Sequence, residues 1–340
     1  MSTRMQSTSS VAGVDKEVSE LILGTAAYRL DGRDVWFSLL DAFMMYGGTT
    51  VDTARIYANG ESEQLIGQWM ESRGNRETVV VITKGGHGKD GALPRERFRE
   101  TIEEEIRRSL EALRSDYIDL YLLHRDNPAI PVGEIIEVLN AERERGRIHA
   151  FGGSNWTYER VDEANGYATR QGLRGFTAVS NNLSLAVPTG PFYTGLVSTD
   201  PSGECWHIRT GIPLLAWSSQ ARGFFSGRCR PEMRNADHIE DGFTRRMIEI
   251  YGTDENFERL RRAEELGKRK GGYSAVEVAL AWVLSKPFRV VPIVGPRTKQ
   301  ELESCVRALS IQLTASEIKW LNLEPRSRER PRNGLSLRNL

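Results

Sequence analysis

Eight short apolar runs recur along this chain, each parted from the next by a longer amphipathic stretch, and that alternation limits the fold more than any other feature. The runs are Glu20 to Gly24, the residues ending at Val51, Thr78 to Ile82, Tyr117 to Leu123, Ile148 to Gly152, Gly175 to Val179, Pro213 to Trp217 and Arg289 to Ile293. Thr78 to Ile82 is β-branched throughout, as suits a strand buried on both faces. Helical patterns fill the gaps at Arg33 to Tyr46, Glu61 to Glu71, Pro94 to Leu113, Val132 to Glu144, Thr157 to Arg170, Phe257 to Lys270, Ser274 to Ser285 and Thr298 to Leu309. The third has Phe98, Ile102, Ile106, Leu110 and Leu113 at three- to four-residue steps, one apolar stripe between charged positions. Eight strand-helix units without a Pro/Gly-rich linker predict the α/β class and a single (β/α)8 TIM barrel over residues 18–324.

Outside that span, residues 1–17 read as a flexible, Ser/Thr-rich lead-in and residues 325–340 as a basic tail, whose Arg326 to Arg338 could meet an anion or a neighbouring subunit. Two stretches, Pro188 to Cys205 and Ala221 to Gly252, break the rhythm and are expected to shape the mouth as long connections.

Several functions lose their support. Lys and Arg together number 46, as do Asp and Glu, so no whole-chain field attracts nucleic acid or a membrane surface. No run approaches the ~20 apolar residues of a membrane span. Cys205, Cys229 and Cys305 are scattered and odd in number, which fits a reducing cytoplasm. The five histidines, His87, His124, His149, His207 and His238, include no paired ligand spacing, so no metal site is expected. No Gly-x-Gly-x-x-Gly opens a Rossmann unit, Gly88-Lys89 leads to Asp90 rather than Ser or Thr, and no Gly-x-Ser-x-Gly elbow exists.

What remains is a set of polar residues just past the strand runs. Asp52 follows Val51, Lys84 follows Val79 to Thr83, and His124 follows Leu120 to Leu123, so all three would converge at the C-terminal face of a barrel. Tyr57, five residues beyond Asp52, can swing over the same mouth. A tyrosine is a weak acid at neutrality, but a neighbouring ammonium stabilises its phenolate. Asp52 would hold Lys84 charged, and His124 could donate to a substrate oxygen or share in proton delivery. Such a group puts a donor and positive potential where charge grows on a carbonyl oxygen under hydride attack.

The chain resembles the aldo-keto reductase superfamily, its bacterial members in particular, from about Leu21 to Leu323. Asp52-Thr53-Ala54-Arg55-Ile56-Tyr57 with Gly60-Glu61-Ser62-Glu63 and Gly67 is similar to the first signature, Thr83-Lys84-Gly85 to the lysine strand and Leu123-His124-Arg125 to the histidine strand. The resemblance implies a catalytic group of Tyr57, Asp52, Lys84 and His124, with NADP(H) preferred, NAD(H) also possible, and a small carbonyl compound as partner. It further implies that Ser154 and Asn155 hold the nicotinamide carboxamide and that Trp217 stacks on the ring where a Tyr is usual. Ser218, Ala221 and Arg222 correspond to the loop over the pyrophosphate, and Gly295, Arg297 and Thr298 to the loop at the adenosine phosphate. Three positions depart from the family's pattern: Ser180 where Gln reaches the carboxamide, and Glu301 and Cys305 where Gln or Arg and Asn contact the adenosine end.

Trp156, Trp206, Phe224 and Phe225 are the candidate apolar walls for substrate, with Arg125 and Asp126 adding polarity. Two other readings stand beside the reductase: a cofactor-binding regulatory subunit with little turnover, and a barrel isomerase or lyase. Nothing in the sequence decides between a monomer and a homo-oligomer.

Overall fold

The computed structural model describes residues 4–5, 7–9, 11–88, 95–235, 239 and 241–325. The basic tail Arg326 to Arg338 and the expected helix start at Pro94 lie outside them.

An antiparallel ribbon of β1 (Ser7–Ser9) and β2 (Val18–Ser19) precedes eight parallel strands that close into a barrel: β3 (Ile22–Gly24), β4 (Thr50–Asp52), β5 (Val80–Gly85), β6 (Ile118–Leu123), β7 (Ile148–Ser154), β8 (Val179–Ser180), β9 (Leu214–Ala216) and β10 (Val290–Val294). β10 pairs with both β9 and β3, which completes the ring. The eight runs read from the sequence are these eight strands, and the TIM barrel is the fold.

Strand parity explains the inside of the barrel. Val80 and Ile82 of β5, Leu120 and Leu122 of β6 and Ala150 of β7 share one interior cluster, while Val79, Val81, Tyr121 and Phe151 pack outward against the helices. Further along the same faces stand Lys84 and His124, two residues past Ile82 and Leu122, and Ser154, four past Ala150, so the period of two that buries the interior also aims these side chains at the upper mouth. β5 and β7 run past their apolar runs to Gly85 and Ser154 because residues that serve the mouth are polar yet remain in the hydrogen-bonded sheet.

Eleven helices are described: α1 (Arg33–Met45), α2 (Glu61–Arg73), α3 (Phe98–Leu113), α4 (Val132–Glu144), α5 (Tyr158–Gln171), α6 (Pro201–Thr210), α7 (Gly242–Tyr251), α8 (Asp254–Arg269), α9 (Ala275–Leu284), α10 (Lys299–Ala308) and α11 (Ala315–Leu321). α2 lies so close to α3 that a Cβ on Gly67 would stand 2.3 Å from the Ala112 carbonyl oxygen, which accounts for that glycine. α6 begins within the first of the two stretches read as long connections and runs past it to Thr210, and α7 lies within the second. Their start signals are local: Asp200 caps α6 by accepting from Gly203 N, with Pro201 in the first turn, and Asp241 caps α7.

The lead-in requires a correction. Its described part is built into the fold: Val11 and Val14 join the interior cluster and close the floor of the barrel, and Met5 N donates to the Tyr46 carbonyl. Apolar residues spaced among Ser and Thr can plug a barrel without forming a run that periodicity detects. No helix among the described residues is long and apolar enough to cross a membrane.

Candidate active site

The turn after β4 is held from several sides before it reaches Tyr57. Thr53 N donates to the Ile82 carbonyl and Arg55 N to that of Lys84, which ties the turn to β5. Ser62 Oγ lies 2.7 Å from Thr25 Oγ1 and 2.8 Å from Thr53 Oγ1, and buried Glu63 takes Arg55 at 2.8 Å and the Thr83 hydroxyl at 2.6 Å. Most of the sequence signature around Tyr57 is therefore a clamp. Arg55, Ser62 and Glu63 position the tyrosine, a role the sequence reading left unassigned.

Lys84 Nζ sits 2.7 Å from Asp52 Oδ1, donates to Oδ2 and to the Thr53 carbonyl at 2.8 Å each, and reaches the Tyr57 hydroxyl at 3.3 Å. Asp52 and Lys84 are 3% and 2% exposed, so bulk water screens this pair little. Burial alone would lower the lysine's pKa, but the charges of Asp52 and Tyr57 outweigh it and hold Lys84 above its usual value. Burial raises the Tyr57 hydroxyl, with Lys84 opposing. His124 packs edge-on to Tyr57, with ring centroids 5.7 Å apart. Burial, then the charges of Lys84 and Arg125, push its pKa well below the ordinary range, so its ring is neutral at pH ~7. Its Nδ1 is buried with no partner, which leaves Nε2 for the cavity.

These four side chains meet at one end of a cavity of about 1200 Å³. Ser154, Asn155, Trp217, Ser218 and Arg222 line it nearby, and Gly295, Arg297, Glu301 and Cys305 line its far end. Arg125 and Phe225 also face it. The sequence reading missed His87, whose ring lies 5.3 Å from that of His124, and Tyr193, Thr194 and Leu196 in the connection before α6. For His87 a signal existed: it stands three residues past Lys84, at the opening of the same strand.

Backbone strain gathers around the same mouth. Among the described residues eight other than glycine have positive φ, and Ala58, Asn59, Asn155, Ser218, Ala221 and Arg222 all belong to its loops. Such conformations persist where surrounding contacts over-determine them, and they cluster at functional sites.

Several expected contacts fall elsewhere. Trp156 is in the outer core, 4.8 Å from Phe176, because the left-handed turn at Asn155 carries the chain outward and Gly153 leaves room for the indole. Trp206 packs on Tyr158 and donates to Asp162 from α6. Phe224 meets Phe225 edge-on, with ring centroids 5.5 Å apart, and packs against Tyr251 and Phe257 rather than on the cavity lining. Asp126 is taken by Arg160 at 3.2 Å. Ser180 donates to the Leu215 carbonyl and does not line the cavity; Asn181 and Asn182 donate to the carbonyls of Trp156 and Trp217. Ala221 is fully buried, and Thr298 caps α10. Glu301 accepts from Arg297 N at 2.6 Å, and Cys305 lies beside Gln220.

A model of the aldo/keto reductase family matches residues 20–322. The chain is 30% identical over 327 residues to a norsolorinic acid reductase of Emericella nidulans, covering 91% of this chain and 78% of that protein. It is 27% identical to the aldo-keto reductase YhdN of Bacillus subtilis, with 92% of each covered. Among solved structures, a thermostable aldo-keto reductase in complex with the inhibitor epalrestat superposes with a TM-score of 0.69 at 22% identity, covering 93% of this chain and 98% of that one.

Proposed function

The chain belongs to the aldo/keto reductase family, and from that premise we propose that it reduces an aldehyde or ketone to the alcohol, using NADP(H) in preference to NAD(H), with Tyr57 delivering the proton. One observation carries the reading: the line from Asp52 through Lys84 to the Tyr57 hydroxyl, 2.7 and 3.3 Å long in its two steps, opens onto the cavity and stops there.

The cavity's size and lining fit the cofactor. Its volume exceeds the ~300 to 1000 Å³ usual for one small ligand, which leaves room for a dinucleotide together with a substrate. Ser154 and Asn155 at one end suit the carboxamide, the indole of Trp217 suits the ring, and Arg297 beside the N-terminus of α10 suits a phosphate at the other end. When bound, the dihydronicotinamide supplies the hydride.

The protein's own part follows from the side chains. The Tyr57 hydroxyl and His124 Nε2–H donate to the carbonyl oxygen and stabilise its growing negative charge. Tyr57 then gives up its proton, and the adjacent Lys84 ammonium, fixed by Asp52 and the Thr53 carbonyl, steadies the phenolate left behind. Asp52 is a positioning residue in this scheme, since it acts through Lys84.

The test is NADPH oxidation by the purified protein with a series of aldehydes and ketones, alongside Tyr57→Phe. The variant should bind NADPH as the parent does and lose at least ~100-fold in turnover, the scale of general acid catalysis. Tight NADPH binding with no turnover of any carbonyl would make the chain a binding subunit. Equal rates in variant and parent would remove Tyr57 from its role.

A further inference from the structure

Two arginines at the reacting end of the cavity have no carboxylate. The Arg222 guanidinium carbon lies 4.3 Å from the ring centroid of Phe192 and 5.8 Å from those of Tyr193 and Trp217, and among the described residues it forms no ion pair. Its Nε is buried without a partner. Among the described residues the Arg125 side chain donates to the carbonyl of its neighbour His124, at 3.0 Å, and it passes 3.8 Å from where a Cβ on Gly195 would stand. The two cations thus flank one short segment, residues 192–196, of which Tyr193, Thr194 and Leu196 line the cavity. Arg55, Arg76 and Arg160, partly buried elsewhere, each hold a carboxylate within 3.2 Å.

The acids lining the cavity do not balance this charge. Asp52 is taken by Lys84, Glu301 accepts from Arg297 N, and Glu264, the third acid on the lining, forms no ion pair with either arginine among the described residues. Both guanidinium charges act on the Tyr57 hydroxyl, which locates them at the reacting end. Burial depresses both arginines, and no carboxylate acts in return. A desolvated cation without a partner is unfavourable unless a ligand supplies the counter-charge. Arg222 also holds a left-handed backbone conformation, φ 55°, between Ala221 and Gly223, and its guanidinium lies over the Phe192 ring. A guanidinium suits a planar or tetrahedral oxyanion accepting along its edge.

We propose that the carbonyl substrate carries an anionic group, held between Arg125 and Arg222 on the lip formed by residues 192–196, with its carbonyl directed at Tyr57. This deepens the reductase reading and rests on it. The exposed ring of Tyr193 and the side chains of Ile56 and Phe225 supply apolar surface between the anion and the reacting oxygen, so an aryl aldehyde bearing a carboxylate is a fitting probe.

The experiment compares para-formylbenzoate with its methyl ester, NADPH being the reductant, in the parent, Arg222→Gln and Arg125→Gln. The parent should favour the acid in kcat/KM by at least ~10-fold, the scale of one charge-assisted bond, and each variant should lose most of that preference through KM. Turnover of the ester and the Kd for NADPH are measured beside it: a loss confined to the acid assigns the arginines to its anionic group, and a loss shared equally by acid and ester overturns that assignment. Para-formylphenyl phosphate distinguishes the source of the anion: a larger preference for it than for the carboxylate makes the natural group a phosphate ester. Equal use of acid and ester by the parent overturns the inference while leaving the reductase intact. A fall in NADPH affinity in Arg222→Gln, with the acid preference kept, overturns it too and gives that arginine to the cofactor's pyrophosphate. Turnover of neither compound sinks the reductase reading instead. Quenching of tryptophan fluorescence by para-formylbenzoate then decides the anion site, and Arg222→Gln should weaken that binding ~10-fold if the site exists.

Discussion

Two buried aspartates stand at opposite ends of the barrel, Asp52 on β4 and Asp119 on β6 with β5 between them, and they are satisfied differently. Asp119, near the floor, is 1% exposed and takes Lys16, Arg76 and the Val81 backbone N–H, each at 2.9 Å. The two cations are engaged in turn: Lys16 also donates to the carbonyls of Arg76 and Val79, and Arg76 stacks over Tyr117 at 3.9 Å. At the mouth Asp52 has Lys84 alone, and Lys84 passes the interaction on to a hydroxyl that faces a cavity. His124 beside it keeps an unpartnered buried nitrogen. The floor network closes on itself and ties residues 11–18 to the barrel. The mouth network ends where another molecule can complete it.

The sharpest way to break that contrast is to cut each network at its centre. Lys84→Met should reduce carbonyl turnover by at least ~100-fold, because the phenolate left on Tyr57 loses its ammonium. Asp119→Ala should instead lower the unfolding free energy by about 3 kcal/mol, as expected when one side of a buried pair is removed and two cations stay behind. Urea denaturation reads the second effect, and activity per folded molecule should remain within ~2-fold of the parent at a temperature well below the transition. A large activity loss in folded Asp119→Ala would mean the floor network also sets the mouth's geometry.

A second test concerns the far end of the cavity. Arg297 is exposed, and its backbone N–H rather than its side chain is engaged by Glu301, so the guanidinium is left for a phosphate. Arg297→Ala should weaken NADPH binding by about 10- to 100-fold, the worth of one charge-assisted bond, and change NADH binding much less. The two dissociation constants must be measured at one salt concentration. Equal losses would make Arg297 a support for the loop.

How much could be read beforehand follows the same division. The barrel was legible because apolar runs are continuous where strands are buried on both faces, and the proposed tetrad was suggested because Asp52, Lys84 and His124 sit just past such runs and Tyr57 lies in the turn after Asp52. Two things were not. Val11 and Val14 plug the floor from a segment with no period, so only the closed barrel reveals what they fill. The loops after β7 and β8 depend on left-handed turns and side-chain-to-backbone bonds: Asn155 at φ 60° sends Trp156 into the core, and the Ser180 hydroxyl is spent on the Leu215 carbonyl. Ser180 was placed at the cavity by its family position and Trp156 by its aromatic side chain. A one-residue change of direction in a loop moves a side chain from the site to the core, and composition is silent on it.

The smallest expected effect tests whether His124 is the neutral donor the scheme needs. Burial and the cations Lys84 and Arg125 hold its folded-state pKa well below the ~6.5 of an unfolded chain. A depressed pKa contributes stability that is present above the unfolded value and is lost as pH falls towards the folded one, because the unfolded chain then binds a proton that the folded chain refuses. One such group changes the unfolding free energy by about 1.4 kcal/mol per pH unit once pH is below ~6.5. His124→Gln removes the titration while keeping an N–H donor, and the carboxylates that titrate in both proteins cancel in the difference. Between pH ~6.5 and ~5 the parent should therefore lose roughly 1 to 2 kcal/mol more than the variant in urea titrations. Equal losses would mean that folded His124 accepts the proton beside Lys84, and an imidazolium would then replace the neutral ring as donor to the substrate oxygen.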